Sequence, residues 1–217
     1  MLNLFYFCRM ELELTNILKK VKTLYRKYGI KSITMDDVSH ELGISKKTLY
    51  QYVSDKHDLV NRIVDNEIIN SERLLDEISK KQLNAIEELF EYNRHVILML
   101  KDYNPSMDYD LKKYYPDTYA KIREVRSQLM YEKVLLNMKK GKAEGYYRSD
   151  LDEEIIARLH ISRIENLFDA ELFTVNESTS SKFFLEVFVY HIRGIANENG
   201  INFLEQKLKE LNSKENE

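Results

Sequence analysis

Residues 34–53 read TMDDVSHELGISKKTLYQYV, and this stretch decides the fold. Thr34 is a residue type that caps the start of a helix, and Asp37 three positions later supplies the acidic partner of a capping box. Gly43 can adopt the positive φ that ends a helix, and Ser45 is suited to cap a second helix after that corner. The caps and their spacing predict a helix-turn-helix unit.

The apolar residues of this stretch are spaced so that each helix buries one side. Val38 and Leu42 lie four positions apart, and Leu49 and Val53 repeat that spacing in the second helix. The polar residues of the second helix therefore stay outside, where lysine, threonine and tyrosine side chains suit contacts with bases or phosphates. An ordinary helical hairpin with a solvated polar face is the alternative interpretation.

The residues predicted to contact DNA are the polar ones at the helix starts and on the outer face. We predict base and nearby backbone contacts from Lys46, Lys47 and Thr48, and phosphate contacts from Thr34, Tyr50, Tyr52 and Lys56. Ser45, which caps this helix, is also predicted to contact DNA.

Lys56 stands at the first position of a further helix, after a capping Asp55 and before the acidic Asp58. A cation at a helix start opposes the helix dipole at a cost of roughly 0.3–1 kcal/mol. A phosphate contact accounts for this unfavourable choice, and a side chain that bends into water is the alternative.

The same stretch resembles the DNA-binding signature of the tetracycline-repressor (TetR) family. The resemblance lies in ITMDDV at residues 33–38, in LGISKKTLYQYV at residues 42–53 and in Lys56, and it extends over about residues 14–64. Two positions depart from the family pattern. Val53 stands where the family usually has Phe, and Lys47 stands where Gly or Ala is common, so the base preference cannot be copied from relatives.

Charge is distributed unevenly along the 217-residue chain, whose net charge is −3. Residues 1–60 hold 10 Lys+Arg and 7 Asp+Glu, whereas residues 61–217 hold 23 and 29. A basic DNA-binding part joined to an acidic body has this distribution. The single Cys8 excludes an internal disulfide and fits a reducing, cytoplasmic compartment, and no apolar run is long enough for a membrane span.

Helical periodicity and the scarcity of turn residues, 2 Pro and 6 Gly, predict an all-α protein. We predict an N-terminal three-helix DNA-binding domain over residues 10–58, whose linking helix continues to about residue 78. Residues 59–217 then form a helical effector-binding and dimerisation domain. Residues 1–9 lack the features of a signal peptide and are expected to be a disordered extension or the product of a misassigned start codon.

Residues 183–192 read FFLEVFVYHI, which is apolar on nearly every side of a helix. A helix buried against its own domain on one side and a second copy on the other predicts a two-fold homodimer with a four-helix interface. A wholly internal core helix is the alternative, and a β-strand has no evident partner nearby. The predicted interface residues are Ile156, Ile164, Phe168, Phe184, Phe188 and Ile192.

The family resemblance implies a ligand pocket among the middle helices, between about residues 83 and 173. The chain's 15 Tyr and 7 Met suit an apolar pocket with a few polar tips, although such side chains usually serve the core. The predicted lining residues are His95, Met99, Tyr103, Met107, Tyr119, Tyr131, His160 and Phe168.

Catalytic motifs are missing from the sequence. Ile44 occupies the position where a zinc-protease motif beginning at His40 needs its second histidine, and neither a P-loop nor a Gly-x-Ser-x-Gly elbow is found. We therefore predict no enzymatic activity, no metal and no cofactor.

The predicted function is that of a homodimeric repressor that binds a palindromic operator in double-stranded DNA, with half-sites about 34–36 Å or a multiple apart. The resemblance implies release by an unidentified small apolar or amphipathic effector. Control by a protein partner or by no effector is the first alternative. A helical small-molecule-binding protein or enzyme with a vestigial DNA-binding part is the second.

Overall fold

The computed structural model describes residues 2–100, 104–166, 173–174, 177 and 179–215. Its helices in chain order are α1 (Leu2–Tyr28), α2 (Met35–Leu42), α3 (Lys46–Leu49), α4 (Lys56–Ser79), α5 (Ala85–Leu100), α6 (Pro105–Tyr114), α7 (Pro116–Ala143), α8 (Glu153–Asn166), α9 (Ser181–Ile195) and α10 (Glu198–Glu215). Within the described ranges there is no β-strand, and only an isolated bridge joins Tyr147 to Ala196. The predicted all-α class is confirmed. No helix in this part of the chain is both long and apolar enough to cross a membrane.

The chain divides into two compact units. Unit 1 contains Met1–Glu72 and Asp102–Arg126, and unit 2 contains Arg73–Lys101 and Ser127–Glu217. The first unit therefore includes a segment that follows the predicted DNA-binding domain by more than forty residues. The functional boundary predicted at residue 58 stays a prediction, because a division by compactness does not test it.

Unit 1 is built on an apolar core to which α1, the helix-turn-helix and α4 all contribute. Its fully covered side chains include Val21 and Tyr25 of α1, Val38 of α2, Leu49 of α3 and Leu59 of α4. Burying an apolar side chain of this size contributes roughly 1.5–3 kcal/mol. The two apolar pairs predicted from their spacing therefore serve a shared core, as expected of an amphipathic helix.

The segment with α6 and the first turns of α7 completes this core through Leu111, Tyr115 and Ile122. Asn104 caps α6, accepting from the Ser106 backbone N–H at 2.8 Å, and Pro105 occupies the first helical position. Proline suits that position because the backbone N–H it lacks has no partner inside the helix.

Unit 2 has a second apolar core, formed by α5, α7, α8, α9 and α10, with Ile86, Met138, Ala157, Ile192 and Leu204 among its most deeply buried residues. Phe90 of α5 and Phe188 of α9 meet edge to face, with ring centroids 4.7 Å apart.

Two predicted boundaries change in the structure. The first helix begins at Leu2, so residues 2–9 continue α1 and do not form the expected disordered extension. The helix predicted over residues 45–53 has one regular turn, α3, after which Gln51 and Tyr52 donate to carbonyls three residues back. This tighter turning still brings Val53 into the core, where it is buried.

Candidate nucleic-acid interface

The helix-turn-helix is held by the caps that its sequence predicts. The Thr34 hydroxyl oxygen accepts from the Asp37 backbone N–H at 3.2 Å, and Asp37 Oδ2 accepts from the Thr34 backbone N–H at 2.8 Å. Gly43 ends α2 with φ 67°, in the left-handed region where a residue without Cβ is least strained. Ser45 caps α3 by accepting from the Thr48 backbone N–H at 3.0 Å.

We expect Thr34→Ala to destabilise unit 1 by about 1 kcal/mol, because it removes the side-chain half of the capping box. The Thr34 hydroxyl and backbone N–H hold the pKa of Asp37 below its ordinary value. The contribution of Asp37 to stability is therefore present above the carboxyl's ordinary pKa and is lost as pH falls through its lowered one. Urea denaturation of both proteins at neutral and acidic pH measures this. A difference in stability that does not shrink on acidification contradicts it.

The three residues predicted to contact bases have different surroundings. The Lys46 ammonium pairs with the Asp36 carboxylate at 2.8 Å, and the Thr48 hydroxyl shares a 2.8 Å hydrogen bond with Ser45. Lys47 is exposed and has neither an ion pair nor a hydrogen bond among the described residues. Of these three side chains, Lys47 is thus the one that needs to break no contact before it binds DNA.

The predicted phosphate-binding residues also separate into two groups. Tyr50 is 45% exposed, and the Thr34 hydroxyl lies at the exposed start of α2. The Tyr52 hydroxyl instead donates to the Glu13 carboxylate on α1. This hydrogen bond packs α1 against the helix-turn-helix, and a phosphate contact by Tyr52 stays a prediction.

Lys56 is half-buried, and its ammonium donates to the backbone carbonyl of Lys31 at 3.4 Å. Burial lowers the pKa of Lys56, and the nearby Asp110 and Asp37 carboxylates partly offset that effect. An ammonium group has three N–H donors, so a phosphate contact by Lys56 stays a prediction beside this structural contact.

Comparison with known proteins connects this geometry to a family. Residues 17–63 match the family described as bacterial regulatory proteins, tetR family. The matched segment, which contains the whole helix-turn-helix, belongs to the TetR family. The protein is a DNA-binding transcriptional regulator of the helix-turn-helix type.

Relatives of this protein extend the match beyond the helix-turn-helix. The uncharacterized HTH-type transcriptional regulator YvaF of Bacillus subtilis (strain 168) is 26% identical over 157 residues, which cover 71% of this chain and 80% of YvaF. A TetR-family regulator from Agrobacterium tumefaciens superposes with a TM-score of 0.66 at 17% identity, covering 87% of this chain and all of that one. AibR, solved with isovaleryl coenzyme A and operator DNA, has a TM-score of 0.51 at 16% identity, covering 72% and 85% of the two chains.

Two residues that position the helix-turn-helix come from outside the predicted DNA-binding domain. Asp110 of α6 is buried and accepts from the Lys31 backbone N–H at 2.8 Å, in the turn between α1 and α2. Asn104 donates to the Arg26 carbonyl at 2.6 Å, near the end of α1. The sequence Asn104-Pro105 indicates the start of a helix. It does not indicate that Asn104 contacts Arg26 or that Asp110 contacts Lys31.

The predicted ligand-binding residues divide between the two units. Met107 and Tyr119 pack against the core of unit 1, whereas Tyr131 packs against the core of unit 2. In unit 2, His95 is half-buried, Met99 is 43% exposed, and His160 contacts the ring of His191. Tyr103 and Phe168 lie outside the described residues. The set as a whole stays a prediction.

The predicted dimer residues stay a prediction. Phe184, Phe188 and Ile192 are at most 8% exposed within a single chain, so a second copy would reach little of their side chains. The helix α9 packs on α5 and α10 in unit 2. Ile156 and Ile164 are half-buried, and Phe168 lies outside the described residues.

Proposed function

We propose that this protein is a homodimeric repressor that binds an operator with two half-sites and is released by a small-molecule effector. The observation that carries the DNA-binding part is the capped helix-turn-helix with Lys47 exposed and unpaired in the described structure. The start of α3 enters the major groove, where Lys47 contacts a base or the adjacent backbone. Tyr50, Thr34 and Lys56 bind phosphates around it.

Exposed apolar side chains on α8 and α9 support the dimer. Ile155 and Leu159 are 54% and 60% exposed on α8, and Tyr190 is 76% exposed on α9. Large apolar side chains that face water on neighbouring helices favour burial against a partner. We therefore assign the proposed two-fold interface to this face of the two helices, in place of the buried face predicted from sequence.

An effector changes DNA binding only by its different affinity for the two states of the protein, so it must bind the form with the wrong half-site spacing more tightly. The helix α4 begins beside the DNA-binding elements and contributes its last turns to unit 2, which makes it the proposed route for the signal. A neighbour of the same fold, AibR, has been solved with a small molecule and operator DNA, which supports this kind of control.

The decisive experiment is a salt titration of binding to the DNA upstream of the protein's own gene, measured by fluorescence anisotropy. We expect Lys47→Ala to weaken binding about tenfold, or ~1.4 kcal/mol. If Lys47 contacts a phosphate, the slope of log affinity against log salt also falls by about one unit. The matched control is Lys19→Ala, which removes an exposed lysine from α1 and should leave affinity and slope nearly unchanged.

Equal effects of Lys47→Ala and Lys19→Ala on DNA binding would mean that α3 does not face the DNA.

Sedimentation of Leu159→Glu tests the dimer independently of DNA. A charge on this face should produce monomers, because a buried unpaired carboxylate is costly at an apolar interface. A variant that remains dimeric at low protein concentration contradicts the proposed interface.

A further inference from the structure

Three nitrogen-bearing side chains meet between α8 and α9 in unit 2. The rings of His160 and His191 are tilted by 49°, with their centroids 4.2 Å apart. The Arg163 guanidinium Nη2 lies 3.1 Å from Nδ1 of His160. The cluster thus holds one guanidinium and two imidazoles, with His160 in contact with each of the other two side chains.

The protonation of this cluster follows from its contacts. A guanidinium has only donors, so Nδ1 of His160 accepts from Arg163 and the ring proton of the neutral imidazole lies on Nε2. Burial lowers the pKa of His160 to about 3, and the charge of Arg163 acts in the same direction. Burial also holds the pKa of His191 well below its ordinary value. At neutral pH the cluster therefore carries one positive charge, that of Arg163.

Two of its nitrogen atoms have no hydrogen-bond partner among the residues that the structure describes. Arg163 Nε and His191 Nε2 are buried, and neither contacts an acceptor or donor in the described part of the chain. Buried polar atoms are nearly always paired, because an unpaired one costs roughly 1–3 kcal/mol. His191 is only 8% exposed and lies on α9 between the core residues Phe188 and Ile192, where an apolar side chain would avoid this cost.

Arg163 also differs from other arginines of unit 2. Arg158 on the same helix pairs with Glu154 at 2.7 Å, and Arg193 on α9 pairs with Glu205 at 2.6 Å. No carboxylate among the side chains that the structure describes, which exclude that of Glu165, pairs with Arg163, although its guanidinium is half-buried. The cluster has a buried donor and a positive charge for which those residues supply no anion.

We propose that His160, Arg163 and His191 bind the carboxylate of a small organic acid. A single carboxylate balances the single charge of Arg163 and accepts from its Nε–H, an arrangement in which charge-assisted hydrogen bonds are strong. The neighbouring imidazoles supply further N–H donors. Phe188 and Ile192, on either side of His191, make the surroundings apolar, which favours an acid with a hydrocarbon body.

Binding of the acid does not depend on DNA, whereas its action as the effector rests on the proposed function. An acid that binds more tightly to the form unable to bind the operator would reduce the protein's affinity for operator DNA. Operator DNA would reduce the affinity for the acid by the same factor. The cluster would then account for the predicted place of His160 in an effector site.

The test uses benzoate and hexanoate as probes, with benzamide and hexanamide as uncharged controls of similar shape, added to the full-length protein without DNA. Isothermal titration and thermal unfolding measure binding, and nitrogen-edited NMR spectra follow the arginine Nε–H signals. We expect at least one acid to bind, to raise the unfolding temperature and to shift the Arg163 signal, with both amides at least tenfold weaker.

Two substitutions separate a binding role from a structural one. Arg163→Met should weaken binding of the acid at least tenfold, whereas Arg158→Met on the same helix should leave it unchanged. His191→Phe keeps a ring in the apolar core and removes the unpaired nitrogen. It should raise the unfolding temperature of the unliganded protein and at the same time weaken binding of the acid several-fold.

Several results would overturn the site. The first is that neither acid binds to the protein. The second is that the acids and the amides bind equally well, and the third is that Arg163→Met binds the acid as well as the wild type does. A fourth result combines two observations: the wild type binds neither acid, and the Arg163→Met variant sediments as a monomer. Arg163 would then pair with an anion across the subunit interface and not with a small acid. Operator binding is measured on the same preparations. Intact DNA binding without acid binding contradicts only this site, and acid binding without DNA binding contradicts only the proposed repressor.

Discussion

We expect Gly141→Ala to lower the free energy of unfolding by about 3 kcal/mol, at the upper end of the usual cost of overpacking. Gly141 is buried in α7, and a Cβ atom there would lie 2.1 Å from Cδ2 and 2.2 Å from Cε2 of the Tyr147 ring. Such distances are far below van der Waals contact, so either the ring or the helix must move.

Tyr147 is poorly placed to move. Its ring is 2% exposed, and its hydroxyl donates to Asn137 Oδ1 at 2.9 Å. Asn137 is itself held, since its amide donates to the Ala85 carbonyl at 2.8 Å and to the Glu88 carboxylate at 3.1 Å. Displacing the ring would therefore break a buried polar network, in which each group left unpaired costs roughly 1–3 kcal/mol.

Gly194→Ala is the matched control, because Gly194 also lies within a helix but a methyl group added there would meet no described atom within 4 Å. Alanine favours the helix over glycine by about 0.5–1 kcal/mol, so this variant should be slightly more stable than the wild type. Urea denaturation followed by circular dichroism measures both variants. Similar stabilities of the two would show that Tyr147 does not pack on Gly141 as described.

We expect Asp110→Ala to destabilise unit 1 by about 2 kcal/mol and to weaken operator binding about tenfold. Removing the carboxylate leaves the Lys31 backbone N–H without its acceptor in a partly buried turn, at a cost of roughly 1–3 kcal/mol. The same turn leads into the capped start of α2, so loosening it loosens the helix-turn-helix. A tenfold loss of affinity corresponds to ~1.4 kcal/mol.

Asp108→Ala is the control for this prediction, since Asp108 is exposed on the same helix and lies two residues earlier. It removes the same charge, so the two variants separate loss of the hydrogen bond from a change of net charge. Stability is measured by urea denaturation and affinity by fluorescence anisotropy at fixed salt. Normal operator affinity in a folded Asp110→Ala protein would show that α6 does not position the DNA-binding elements.

The helix-turn-helix was predictable because its information is local. The cap at Thr34, the corner at Gly43 and the second cap at Ser45 act on backbone groups within a few residues, and each is present in the structure as expected. The long helix α4 and the proline that starts α7 were predictable for the same reason.

Contacts between distant segments were not predictable in this way. The sequence around Asp110 shows a short helix in an irregular region, and nothing near it indicates that its carboxylate accepts from Lys31, 79 residues earlier. Nothing near Tyr52 in the sequence indicates that its hydroxyl donates to the Glu13 carboxylate on α1.

The sequence by itself determined an all-α chain with a helix-turn-helix, because capping and helical periodicity depend on neighbouring residues. The resemblance of its motif indicated the TetR family. Only the tertiary structure decided which sides of the apolar helices are covered. Phe184, Phe188 and Ile192 are buried within a single chain, while Ile155 and Leu159 are exposed. Helical periodicity shows that a face is apolar, but which element covers that face depends on how segments far apart in the chain pack together.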